Sequence, residues 1–139
     1  MDDRFWAALE PRSAEDLRAT LSAVKGMFEP TLRQFTPGEP SMRALEELLA
    51  TLQRERIRAA LILAPMGPTV RSLYPKESLD LFLRDVIRLA EQHHCGYVDA
   101  SAWLAEEMFT DSVHATAAGA DVFSDRLARE VLVPALEVR

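Results

Sequence analysis

Ile57-Arg58-Ala59-Ala60-Leu61-Ile62-Leu63-Ala64, stopped by Pro65, and Gly96-Tyr97-Val98-Asp99 bracket the stretch that decides the fold. The first is a nearly continuous apolar run, the pattern of a strand buried on both faces of a parallel sheet. Met66 to Lys76 contains Gly67, Pro68 and Pro75 and reads as a loop. Over residues 77–93, Leu79, Phe82, Leu83, Val86, Ile87 and Ala90 repeat at helical spacing. His93 and His94 close that helix, and Gly96 is the expected stop. Tyr97-Val98-Asp99 is a second strand. Strand, helix, strand at these lengths is a βαβ unit, so the expected fold class is α/β.

The flanks extend this reading. A short helix is expected over residues 3–9. Ser13 then reads as an N-cap, with Glu15 and Asp16 in the first turn and Leu17, Leu21, Val24 and Phe28 on one face; Pro30 is the expected end. Thr36-Pro37-Gly38-Glu39-Pro40 is turn chemistry and divides a helical N-terminal segment (1–40) from an α/β portion (41–139). Ser41 is the next expected N-cap, ahead of a stripe of Leu45, Leu48, Leu49 and Leu52. After the second strand, a short helix over 101–108 and a loop over 109–113 lead into a helix from about 115 to 131. That last helix should turn Ala120, Phe123, Leu127 and Val131 to the sheet and end at Pro134.

Composition narrows the function. The 139 residues carry 16 Lys and Arg against 22 Asp and Glu, a net charge of −6 without a basic cluster, which argues against nucleic acid and anionic membrane as partners. No apolar run approaches the roughly 20 residues of a membrane span. The acidic start Met1-Asp2-Asp3 precedes no apolar signal segment. On that ground the chain reads as cytoplasmic, or as extracytoplasmic where it belongs to a longer envelope protein. The single cysteine, Cys95, excludes an internal disulfide and a Cys-rich zinc site. His93-His94-Cys95 is a poor metal site, because neighbours on a helix point about 100° apart. No metal and no cofactor is expected.

Chemistry concentrates in Phe109-Thr110-Asp111-Ser112-Val113-His114. A carboxylate three residues from an imidazole can fix its tautomer, orient the ring and stabilise the imidazolium, which is the base half of a Ser-His-Asp device. The same pair also reads as a helix cap followed by an ordinary first-turn histidine. Among other residues, Arg71 and Ser72 in the loop after the first strand, and Asp99 at the end of the second, occupy positions where parallel sheets bind ligands. Arg71 suits an anionic group, and Asp99 reads equally as a cap. None of the eight serines sits in a glycine-flanked nucleophile elbow.

Residues 109–128, with Phe-x-Asp-x-x-His followed by Gly119 and an amphipathic helix, resemble the last block of the SGNH (GDSL-type) hydrolases. With the strand ending at Pro65 and the Val98-Asp99 strand, the resemblance runs in order over roughly residues 41–132. It is nearest the cell-envelope branch that includes the D-alanyl-lipoteichoic acid and alginate-acetylation proteins. It implies a flavodoxin-like α/β/α sandwich, here partial, and hydrolysis or transfer of an ester-linked acyl group. His114 would be the general base and Asp111 its orienter. The family's Gly-Asp-Ser nucleophile motif is absent, and its Asn block has no counterpart in a sequence without asparagine. The expectation is therefore a C-terminal portion, inactive alone. It would act on an ester or acyl small molecule or carbohydrate, with a second copy or a partner chain completing the sheet. The alternative is a non-catalytic binding or assembly module on the same fold.

Overall fold

The strand–helix–strand unit is present, with a parallel sheet. In the computed structural model, which describes residues 13–137, β1 (Ala60–Leu63) pairs with β2 (Gly96–Asp99) in the register Ala60 with Gly96 through Leu63 with Asp99. Ahead of them lie α1 (Ala14–Leu32) and α2 (Glu39–Arg54). Between them lie α3 (Pro68–Arg71) and α4 (Lys76–Gln92). A 3-10 turn (Glu106–Met108), α5 (Ala117–Leu127), a π turn (Ala128–Leu132) and α6 (Val133–Glu137) follow. The protein is thus mixed α/β and mostly helical, with a two-stranded sheet among the described residues. The short helix expected over 3–9 lies outside them.

The described chain falls into two compact units, and neither is a continuous stretch. One comprises residues 30–63 and 74–99. Here α2 packs on α4, and α4 lies against β2. Leu49, Val86 and Ala90 are buried, as the helical spacing of apolar residues leads one to expect, and Leu89 is buried beside them. The other comprises residues 13–29, 64–73 and 100–137. Its buried apolar side chains include Val70, Leu73, Leu104 and Phe109. The Arg126 guanidinium sits 4.2 Å above the Trp103 ring, which also meets Phe123 at 6.0 Å.

Several boundaries differ from the sequence expectations, each for a local reason. Ser13 does cap α1: its Oγ accepts the Asp16 N–H at 3.1 Å and donates to the Asp16 carboxylate at 2.6 Å. Pro30, however, lies inside the last turn of α1 rather than ending it. Ser41 is not the cap of α2, which starts at Glu39 behind Gly38. Pro40 fits the first turn because no N–H is needed there. The expected 101–108 helix shrinks to the turn Glu106–Met108. Pro134 does not end the last helix but sits in α6, beyond the π turn. Ala120 is exposed, and the residue of α5 that is buried is Gly119.

The β1 run also departs from expectation. Its four residues alternate between exposed and half-buried, and Ile62 is 38% exposed, so the strand is not covered on both faces. Gly96 is not the helix stop. The chain turns at His94, in the left-handed region at φ 52°, and Arg56 does the same after α2 at φ 58°. Both ends bond as Schellman motifs. Cys95 N–H reaches Ala90 O at 2.9 Å and His94 N–H reaches Glu91 O at 3.2 Å; Ile57 N–H reaches Leu52 O at 2.8 Å and Arg56 N–H reaches Gln53 O at 3.1 Å.

Candidate active site

The Asp111–His114 loop is closed at its base by main-chain bonds. Phe109 and Ala115 form an antiparallel bridge, and Thr110 N–H donates to His114 O at 2.8 Å. Thr116 N–H donates to Met108 O at 2.8 Å, and Thr116 Oγ1 caps α5 by accepting the Gly119 N–H at 3.0 Å. Met108 O lies so close to Gly119 that any Cβ there would overlap it. Glycine at 119 is therefore required by contact, and it lets the first turn of α5 seat against the base of the loop.

At the top of the loop Asp111 collects three donors. Its Oδ1 accepts the N–H of His114 at 2.8 Å and of Val113 at 3.1 Å, and its Oδ2 faces His114 Nδ1 at 2.8 Å. Partial burial pushes the carboxyl up. The His114 amide, the His114 ring and the Val113 amide together outweigh it, and hold Asp111 below the ordinary aspartate value. An ionised carboxylate only accepts, so the Nδ1 atom carries the proton and Nε2 is the basic nitrogen. The His114 side chain is 72% exposed and the Asp111 side chain 28%. An accessible imidazole above a supported carboxylate can take a proton from a hydroxyl and return it to a leaving group.

Between them, Ser112 faces the opposite way. It is fully buried and adopts φ 67°. Its carbonyl accepts the Gly67 N–H at 2.8 Å, and its Oγ accepts the Val70 N–H at 3.1 Å. Beside it, Glu106 Oε2 accepts the Thr69 N–H at 2.7 Å. A Cβ on Gly67 would overlap Ser112 Oγ and stand 2.7 Å from Glu106 Oε1. Neither Gly67 nor Glu106 stands out in the sequence. The available signal was Gly67-Pro68 directly after an apolar strand, a turn that lets backbone approach closely.

Arg71 and Ser72 belong to the same unit as the pair. Arg71 ends α3, the short helix whose N–H groups are held by Ser112 and Glu106. Ser72 caps it, and its hydroxyl donates to Thr69 O at 2.7 Å. Asp99 ends β2 in the other unit, is exposed, and with burial raises the Tyr97 phenol above its usual value. His93 Nδ1 lies 3.1 Å from Gln53 Oε1, and Cys95 Sγ donates to Gly96 O at 3.4 Å. Among the described residues no group of three His, Cys, Asp or Glu side chains is placed to hold a metal ion, and no helix is long and apolar enough to cross a membrane.

Comparison with protein-family models, with curated proteins and with solved structures gives no match.

Proposed function

We propose that this chain supplies the base half of an SGNH-like esterase or acyltransferase acting on an ester-linked acyl group of a small molecule or carbohydrate. The observation that carries this reading is the 2.8 Å contact of His114 Nδ1 with an Asp111 carboxylate that two main-chain N–H groups already orient. In the reaction, His114 Nε2 takes the proton of an attacking hydroxyl as its oxygen bonds the acyl carbon. The imidazolium then gives that proton to the departing alcohol oxygen, while the Asp111 charge stabilises the cationic ring. The attacking hydroxyl comes from a second chain or from a segment outside these residues, and the same partner adds strands to the sheet.

A second reading, a non-catalytic binding or assembly module, draws on Ser112 within the motif and on Ser72 in the same unit. Ser112 is fully buried, and Ser72 commits its hydroxyl proton to Thr69 O.

p-Nitrophenyl acetate hydrolysis separates the two. The purified 139-residue chain is expected to match buffer, and the assembly recovered from cells with this chain is expected to hydrolyse the ester. His114→Ala in that assembly should lower the rate by about 10²–10⁴-fold, the usual contribution of a positioned general base. An active assembly indifferent to His114→Ala overturns the base assignment. An assembly no faster than buffer favours the module.

A further inference from the structure

We infer that Ser112 and Glu106 are positioning residues for the base: they latch the buried side of the Asp111–His114 loop to the turn at Gly67–Val70 and thereby hold the imidazole in its Nδ1–H form. This rests on the base reading of His114 and deepens it.

The need for a latch follows from exposure. His114 is largely in solvent, and an exposed ion pair by itself holds two side chains only weakly. The orientation of the pair must then be set by the backbone that carries it. On its buried side that backbone is gripped at Ser112, which is 0% exposed between the half-buried Asp111 and the exposed Val113. Two main-chain donors from the segment after β1 end on it, Gly67 N–H on its carbonyl and Val70 N–H on its hydroxyl oxygen. Glu106 takes the donor between them, Thr69 N–H, so three successive parts of that turn are tied to the loop and its base.

The fit leaves no slack. A Cβ at Gly67 would overlap Ser112 Oγ and come within 2.7 Å of Ser112 Cα. The contact also explains why a serine tolerates φ 67° here, where glycine would be favoured on backbone grounds. Its hydroxyl oxygen is the partner of a buried N–H, and glycine would leave that donor unpaired.

The test is nitrogen-detected NMR of the His114 ring in the full 139-residue chain, which reads the tautomer without any substrate. The neutral wild-type ring should be in the Nδ1–H form. In Ser112→Ala and in Ser112→Gly the nitrogen shifts should move toward averaging between tautomers, and Glu106→Ala should move them the same way. Ser112→Gly is the discriminating variant, because it suits φ 67° while it removes the hydroxyl with its methylene, so backbone strain cannot account for a change. If its ring shifts match wild type, the hydroxyl latch is overturned. If the serine variants do not fold, Glu106→Ala decides by the same shifts. A wild-type ring already averaged between tautomers refutes the base pairing itself. A fixed wild-type ring that stays fixed in every variant refutes only the latch.

Discussion

At the residue scale, the decisive group is Asp111. Its carboxyl lies below the ordinary value of 3.8, because three donors outweigh its partial burial. A group depressed in the folded state contributes stability that is complete above its unfolded value and is lost as pH falls through the folded one. The thermal stability of the wild type should therefore fall, relative to Asp111→Asn, as pH drops below about 4, the unfolded aspartate range. Above it the wild type should be the more stable of the two. A difference that stays constant from neutral pH to strongly acid pH would show that the ionised carboxylate is not what orders the loop. The sequence placed Asp111 and His114 at a workable spacing, but spacing alone leaves the carboxylate free to be a mere cap. The structure has it do both, capping two amides with one oxygen and holding the ring with the other.

At the scale of elements, the helix ends are the instructive case. Both α2 and α4 reverse through residues that dislike the left-handed region, Arg56 and His94. That conformation costs a non-glycine residue about 1–2 kcal/mol. Glycine avoids this cost but gives back about 0.4–1 kcal/mol through the freedom of the unfolded chain. His94→Gly should accordingly raise the unfolding free energy by about 0.5–1 kcal/mol, the balance of those two effects, in urea titration. A loss of stability instead would mean that the His94 side chain contributes more than its backbone strain costs. Helix α4 itself was readable from its 3.6-residue period. Its face is rotated slightly from the expected one, with Leu89 buried and Ile87 37% exposed. The apolar stripe is wider than the surface that covers it, and only packing selects which members go inside.

At the scale of the whole molecule, the sheet is the element that a partner would extend. A two-stranded parallel sheet has edges on both sides, and Ile62 stands 38% exposed on β1. If the second copy or partner chain that adds strands to the sheet also packs side chains on the face at Ile62, Ile62→Lys should abolish association in sedimentation or size-exclusion measurements. An exposed position should tolerate the change within about 0.5 kcal/mol of stability. Unaltered association would place the contact elsewhere. The sequence by itself determined the order strand, helix, strand, a helix over 77–93 that the structure places one residue earlier at Lys76–Gln92, and the pairing potential of Asp111 with His114, because each depends on residues only a few positions apart. It did not determine which faces are covered. An apolar run looks the same whether one side or both are buried, and β1 proved open on one. Nor did it show that Ser112 is the buried anchor of the loop, or that Gly67 and Glu106 meet it. Those contacts join positions some forty residues apart, as in the Val70–Ser112 bond. No local pattern encodes them, because they exist only once the chain has closed on itself.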